Sequence, residues 1–170
     1  LFGSPGQIAR MVRARVRAEL GLPMSIGIAR TKHLAKIASQ VAKPDGLVVV
    51  DPTTELEFLH ELPVGLMWGV GPATEARLAA LGITTIGQLA KSSPASVERL
   101  LGHAVGRKLT ALAWNRDPRQ IETRHRARSA GAQSALGRRP ATERVYKPVL
   151  HHLADRIGSR LRARSLAGRT

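Results

Sequence analysis

Residues 62–75 of this 170-residue chain, LPVGLMWGVGPATE, decide its fold. Gly69 and Gly71, with one residue between them, separate two short patterns of helical spacing. Glycines at this spacing let the backbone turn tightly, and the helix that follows adds the positive end of its dipole to N–H groups that no side chain covers. The stretch therefore predicts a helical hairpin whose turn allows a phosphate to approach closely. A glycine-capped turn without a ligand is the alternative.

The net charge favours a nucleic-acid backbone as the source of that phosphate. The chain has 27 Lys and Arg against 12 Asp and Glu, a formal net charge of +15 at pH 7. Residues 1–50 carry a net +6, residues 51–114 carry −1, and residues 115–170 carry +10. Arginine dominates the basic set, and its planar guanidinium matches phosphate geometry better than a lysine ammonium does. A chain this basic is expected to bind a polyanion.

Composition excludes several other classes of protein. No stretch approaches the roughly 18 consecutive apolar residues that a membrane span requires, and no signal-peptide pattern opens the chain. The chain has no cysteine, which excludes disulfides and thiolate metal sites. Its six histidines show no metal-ligand spacing supported by carboxylates. We therefore expect a cytoplasmic protein without a membrane partner.

The first third of the chain predicts one β–α–β unit behind a leading helix. Ser4 and Gly21 mark the two ends of the leading helix. Residues 24–29 and 47–50 read as strands, and Thr31 caps a helix between them with an apolar stripe at Leu34, Ile37, Ala38 and Val41. Two strands do not form a stable sheet by themselves, so an apolar surface or an open sheet edge is expected here.

The middle of the chain predicts an all-helical module that ends in the turn residues 115–119. Residues 101–108 look like a degenerate second copy of the glycine hairpin. Trp68 and Trp114, both at helix ends, are expected to be packing anchors rather than base-stacking platforms. The predicted helices span residues 54–62, 72–81, 85–90, 94–101 and 104–114.

Beyond the helical module, a basic stretch and a final helix are expected. Residues 124–136 alternate arginines with small residues and predict a strand. An amphipathic helix follows, with Val149, Leu153, Ile157 and Leu161 on one face. Pro148 either begins that helix or kinks it.

Taken together and in order, these stretches resemble the Y family of translesion DNA polymerases, of the DinB and UmuC type. Any one of the matches would be weak, but several agree at the spacing of the family. Residues 25–39 and 42–46 resemble the last palm motif, residues 62–71 the helix-hairpin-helix of the thumb, residues 82–89 its continuation, residues 115–118 the end of the thumb, and Ser129 with Gly131 the start of the little finger.

The resemblance implies an α/β plus all-α fold and an internal fragment of such an enzyme. Residues 1–51 would be a β–α–β remnant of the palm, and residues 52–118 an all-helical thumb with the helix-hairpin-helix. A linker over residues 119–125 would lead to a partial α+β little finger over residues 126–170.

The catalytic machinery of the family is expected to lie outside this chain. By resemblance, the carboxylates that hold Mg²⁺ would precede Leu1, and within residues 1–50 the only acids are Glu19 and Asp45, expected at a helix end and in a turn. The fragment should therefore contain no catalytic residue and be inactive alone. Lys43 would reach the triphosphate of the incoming dNTP; a solvated lysine at a helix end is the alternative.

DNA contacts, in contrast, are implied along most of the chain, and all of them go to phosphate and sugar. A sliding-clamp contact would belong to a missing C-terminal segment. Two alternatives stay open: a non-catalytic helix-hairpin-helix DNA-binding protein, and a Y-family scaffold paralogue that has lost its carboxylates. The residues implied are Gly69, Val70 and Gly71 for a primer phosphate, Arg128, Ser129 and Gly131 for the template strand, and the main-chain carbonyls of Gly65 and Val70 for a cation.

Overall fold

A computed structural model describes residues 3–123 and 129–168 of the chain. These residues form α-helices and one small parallel sheet, in two units, Leu1–Ile121 and Glu122–Thr170. No helix in the described part is long and apolar enough to cross a membrane. The mostly helical structure with a small α/β portion agrees with the predicted fold class at this coarse level.

The β–α–β unit is present, with strands shorter than predicted. Helix α1 spans Pro5–Leu20, β1 spans Ile26–Ile28, α2 spans Lys32–Val41 and β2 spans Leu47–Val49. The two strands pair in parallel, with Gly27 opposite Val48. A Cβ on Gly27 would lie 2.2 Å from a backbone oxygen of α2, so glycine lets the helix pack directly on the sheet. In the described part no third strand joins this sheet, and the side chain of Val49 is 57% exposed.

The residues predicted to cap the first two helices are confirmed. Ser4 forms a capping box with Gln7, and Gly21 ends α1 with a φ of 66°. The Thr31 side chain accepts the N–H of Leu34 at the start of α2. Of the predicted α2 stripe, Val41 departs: it is 41% exposed, whereas the other three members are fully buried. Val41 is the last residue of the helix, where the chain leaves the core.

The middle module consists of short helices, as predicted, with bounds that differ from the predicted ones by at most two residues. Val64 N–H donates to the Thr84 carbonyl, and Ile86 N–H donates to the Leu62 carbonyl, both at 2.9 Å, which ties the chain before the hairpin to the chain after it. The elements are α3 Glu55–His60, a 3-10 turn Val64–Leu66, α4 Pro72–Ala79, α5 Ile86–Lys91, α6 Pro94–Leu101 and α7 His103–Ala113.

One hydrophobic core runs from α2 through the helical module to α7. Leu34 and Ile37 of α2 are in the same buried cluster as Leu59, Leu78 and the apolar residues of α5 and α7. The β–α–β unit and the helical module are therefore packed together rather than hinged on a linker. This fixes the position of the hairpin relative to α2.

The second unit contains helix α8, Glu143–Arg162. Of the two readings of Pro148, the one in which it begins the helix is wrong, because α8 starts five residues earlier and Pro148 lies inside it. The predicted stripe residues are half-buried while most of the helix is exposed. The predicted strand over residues 124–136 is wrong for its described part, because residues 129–136 form no strand; residues 124–128 lie outside the described residues. A strand needs a hydrogen-bonded neighbour, and the described part of this unit offers none.

Candidate nucleic-acid interface

The hairpin turn is built between the 3-10 turn and α4. Gly69 has a φ of +98°, a backbone conformation that residues with a Cβ rarely adopt. Gly71 has φ −101° and ψ 177°, which any residue adopts, and a Cβ placed on it would meet nothing within 4 Å. Gly69 is therefore required by the shape of the turn, and Gly71 leaves open space in front of α4.

Unpaired backbone donors lie at this turn. Val70 N–H donates to the Met67 carbonyl at 3.1 Å. Within the described residues, the N–H groups of Gly69 and Gly71 have no acceptor, which leaves these two of the three predicted donors open to a ligand. Helix α4 begins with Pro72 and has no side-chain cap, and the acidic residue of its first turn, Glu75, lies against Gly65. The arrangement can bind an anion through the backbone.

The carbonyls of Gly65 and Val70, for which a cation was expected, lie on the same turn. A Cβ on Gly65 would lie 2.6 Å from a carboxylate oxygen of Glu75, so this side chain is packed against the glycine. The carboxylate adds negative charge beside Gly65. The cation site stays a prediction.

Trp68 of the hairpin carries two cations on its ring. Lys108 Nζ lies 3.8 Å from the ring centroid, and the Arg119 guanidinium lies 4.8 Å from it. The ring is 43% exposed. Trp114 is 38% exposed, and it is tied to the helical module by its Nε1–H, which donates to the Ala90 carbonyl at 3.0 Å, and by an edge-to-face contact with the His60 ring. No local pattern in the sequence indicates that Lys108 and Arg119 converge on Trp68, because they are 40 and 51 positions away from it.

Asp117 joins the end of the helical module to the start of α2. Its side chain is 1% exposed. The carboxylate accepts two hydrogen bonds from the Arg119 guanidinium at 2.7 and 2.8 Å, the Arg119 backbone N–H at 3.3 Å and the His33 backbone N–H at 3.0 Å. The hydrogen bonds from Arg119 lower the pKa of Asp117 to about 2. Sequence reasoning gave this residue turn chemistry only and missed its role as a helix cap.

Asn115 completes the same contact. It has a φ of 51° and is 4% exposed, and its side-chain oxygen accepts the hydroxyl of Thr31, the N-cap of α2. Beside it, Arg30 pairs with Glu55, which lowers the pKa of that carboxyl. Three residues of the helical module, Asp117, Asn115 and Glu55, thus hold the start of α2 and the residue before its N-cap.

His33 is buried next to this contact. It is 1% exposed, and neither ring nitrogen has a hydrogen-bond partner within the described residues. Burial lowers the pKa of His33 to about 4, against its ordinary value of 6.5. His33 is therefore a neutral core residue at neutral pH.

Lys43 lies just past the other end of α2, and its side chain is exposed. Its N–H donates to the Gln40 carbonyl at 3.3 Å, and a cis peptide bond joins it to Pro44. A lysine held here by the end of a buried helix presents a point charge to solvent. The structure leaves both expectations for Lys43, a triphosphate contact and a solvated lysine, open.

Glu19 and Asp45, the two acidic residues of the first 50, lie at a helix end and in a turn, as expected, and both pair with arginines. Asp45 is in the turn before β2 and pairs with Arg13 and Arg17; the N–H of Met24, above all, lowers the pKa of its carboxyl. Glu19 pairs with Arg15 on the surface of α1. No group of three His, Cys, Asp or Glu side chains that could hold a metal occurs in the described part of the chain.

The residues expected to contact the template strand belong to the second unit. Ser129 is exposed, and the Gly131 carbonyl accepts a hydrogen bond from Arg160 at 2.8 Å. A Cβ on Gly131 would meet nothing within 4 Å. Arg128 lies outside the described residues.

Two family models match the chain. That of the impB/mucB/samB family matches residues 1–40, and that of the IMS family HHH motif matches residues 52–83. The second match contains the hairpin turn described above.

Curated relatives match over nearly the whole chain. DNA polymerase IV 2 of Mesorhizobium japonicum is 71% identical over 170 residues, which are 100% of this chain and 41% of the relative. DNA polymerase IV of Brucella melitensis is 36% identical over 166 residues, which are 98% of this chain and 37% of that protein. The chain thus spans about two fifths of the length of these relatives.

Solved structures show the same likeness. DinB from Sulfolobus solfataricus has a TM-score of 0.63 and 30% identity over 68% of this chain and 34% of its own. A chimeric Y-family DNA polymerase has a TM-score of 0.73 and 27% identity over 90% of this chain and 44% of its own.

Proposed function

The chain belongs to the DinB-like branch of the Y family of DNA polymerases, and on that premise we propose that it is the part of such an enzyme that grips the backbone of primer–template DNA. The observation that carries the proposal is the hairpin turn. Gly69 and Gly71 present open N–H groups in front of an uncapped helix, in a chain of net charge +15. Backbone donors of this kind bind phosphate whatever the base sequence.

The parts of the chain correspond, in this proposal, to named domains of the polymerase. Residues 1–51 form the end of the palm, residues 52–118 the thumb, residues 119–125 a linker and residues 126–170 the start of the little finger. Two observations support the division. The family models match residues 1–40 and 52–83 separately, and the boundary between the two compact units follows Ile121, inside the proposed linker.

The contacts position DNA without reading its sequence. The turn at Gly69 and Gly71 holds a phosphate of the primer strand, and the start of the little finger holds the template strand through Arg128, Ser129 and the backbone to Gly131. Phosphate and sugar contacts carry no base information, so a template with a distorted base is bound as an intact one is. This suits synthesis past damaged bases, which we propose for the whole protein.

Lys43 is the proposed contact to the nucleotide. Its ammonium, at the end of a helix fixed in the core, would lie against the triphosphate of the incoming dNTP, where negative charge accumulates during transfer. We place the whole protein in the cytoplasm and any sliding-clamp contact in a segment outside this chain.

The Mg²⁺ ions that we propose for the whole enzyme do not fit the residues described here. Glu19 and Asp45 are paired with arginines and lie at a helix end and in a turn. No step of nucleotidyl transfer is therefore assigned to this chain. Catalytic Mg²⁺ would need carboxylates supplied by other parts of the polymerase.

The proposal is tested on the purified 170-residue chain. We expect it to bind a labelled primer–template and a shuffled sequence of the same length with equal affinity, and to extend no primer with dNTP and Mg²⁺. Fluorescence anisotropy measures the first and a gel-based extension assay the second. A strong preference for one sequence, or template-directed incorporation, would contradict it.

An independent hairpin module is the alternative that the comparisons disfavour. The relative from Mesorhizobium japonicum contains both the β–α–β unit and the helical module in one alignment that covers this whole chain. A hairpin module would need neither the β–α–β unit nor a core shared with it.

A further inference from the structure

A small hollow of about 220 Å³ lies directly beside the hairpin turn. One wall comes from the hairpin itself and the other from the first two turns of α7, which follow the second glycine turn at Gly102. The family comparisons assign no role to this second turn. The lining residues are Trp68, Gly69, Ala104, Val105, Lys108 and Leu109.

Lys108 supplies an uncompensated positive charge at this hollow. Its ammonium lies on the Trp68 ring, and it forms no ion pair with any carboxylate of the described residues. Arg119 is also close to the ring, but its guanidinium is bound by Asp117, which balances its charge. Lys108 is therefore the cation that can neutralise an incoming anion here.

Trp68 also fixes where that cation lies. A solvated lysine side chain loses much of its rotamer freedom when it binds an anion. The contact with the ring face holds Lys108 in place before binding, so less freedom is lost. The remaining walls, Val105 and Leu109 above all, are apolar and suit the face of a sugar rather than a second charge.

We propose that this hollow takes a deoxyribose–phosphate unit of the DNA strand adjoining the phosphate held by the turn at Gly69, with Lys108 on the phosphate. The inference rests on the proposed function and extends it: α7 becomes a second backbone contact, and Trp68 the residue that positions its cation. Because Gly69 belongs both to the turn and to the lining of the hollow, the proposal assigns the two contacts to neighbouring units of one strand.

The test is a salt titration of duplex binding by the full chain, with Lys108→Met against Arg107→Met. Methionine keeps the apolar stem that covers Trp68 and removes the charge. Arg107 is the matched control, because it is exposed, carries the same charge and precedes Lys108 directly on the same helix. For Lys108→Met we expect a three- to tenfold weaker affinity and a log–log salt slope about 0.9 less negative, the loss of one phosphate contact. Lys108→Arg should restore the slope.

The outcomes of this titration separate the inference from the proposed function. A slope change for Lys108→Met no larger than that of Arg107→Met overturns it, and so does a Lys108→Arg variant that behaves like Lys108→Met. Unchanged melting temperatures with the expected slope support it. A wild-type chain that binds no duplex at low salt overturns the proposed function itself, whereas one that binds through the turn at Gly69 regardless of Lys108 overturns this inference alone.

Discussion

The carboxylate of Asp117 accepts the backbone N–H of His33 at 3.0 Å, so a residue 84 positions later in the chain caps the start of α2. Arg119 binds the same carboxylate and reaches Trp68 of the hairpin. One continuous set of contacts thus connects the hairpin turn to α2, and Lys43 lies just past the far end of that helix. The geometry between the two proposed ligand sites depends on it.

Replacing Asp117 should therefore destabilise the first unit. Asp117→Ala leaves the His33 N–H without an acceptor and Arg119 without its partner, and we expect a loss of about 2–3 kcal/mol in the free energy of unfolding. Chemical denaturation measures it. Glu57→Ala, which removes an exposed carboxylate from the same unit, is the control and should change stability by less than about 0.5 kcal/mol. Equal effects of the two substitutions would contradict the capping role.

Much of the fold is predictable from local sequence, and the capping contact is not. Ser4 with Gln7, Gly21, and Thr31 act within a few residues of themselves, so short patterns reveal them. The contact of Asp117 with α2 depends on how distant helices pack, and no spacing rule encodes it. For the same reason Trp68 was expected only to pack, whereas the fold brings two cations onto it.

Two further differences have physical causes of the same kind. Alternation of arginines with small residues suggested a strand after residue 124, but residues 129–136 have no neighbouring strand to pair with in the described part. Pro148 was treated as a possible helix start because a proline inside a helix lacks the N–H for one hydrogen bond and crowds the carbonyl four residues earlier, but α8 contains it nevertheless.

Burial of His33 should make stability depend on pH. Its pKa is lowered to about 4 in the folded chain, whereas in the unfolded chain it keeps its ordinary value near 6.5. Between these values the unfolded state binds more protons, so stability is full above pH 6.5 and is lost as the pH falls. We expect a loss of about 2 kcal/mol from His33 between pH 7.5 and 5.

Denaturant unfolding at both pH values, for the wild type and for His33→Leu, isolates this contribution. The leucine variant should lose about 2 kcal/mol less than the wild type over that interval, since it has no proton to bind. Parallel pH profiles for the two proteins would show that folding does not lower the pKa of His33.

Substitutions of three glycines that flank α4 separate the effect of backbone conformation on stability from the effect of a blocked turn on DNA binding. Gly69→Val should weaken duplex binding and lower stability by about 1–2 kcal/mol, because its φ is +98°. Gly82, with a φ of +73° and open surroundings, is the matched control: Gly82→Val should lower stability similarly and leave binding unchanged. Gly71→Val, at an ordinary φ, should weaken binding alone, since its side chain would block the space in front of α4.

Binding by anisotropy and melting by circular dichroism, measured on the same three variants, distinguish these cases. Binding that falls for Gly82→Val as much as for Gly69→Val would show that the effect is lost stability. A Gly71→Val variant that binds as the wild type does would show that phosphate does not approach the turn.

The second unit should dominate the salt dependence of DNA binding. Residues 124–170 carry a net +10 of the total +15, and the first unit forms its own hydrophobic core, so a chain of residues 1–123 should stay folded. Because each phosphate neutralised adds about −0.9 to the log–log slope, removing these arginines should flatten the slope by several units.

The contribution of the middle module to the salt slope needs a different experiment. This module cannot be deleted, since the β–α–β unit packs on it. Arg77→Gln and Arg99→Gln together serve instead, and should change the slope by less than the truncation does. Equal slopes for the full chain and residues 1–123 would show that the arginines of the second unit do not contact phosphate.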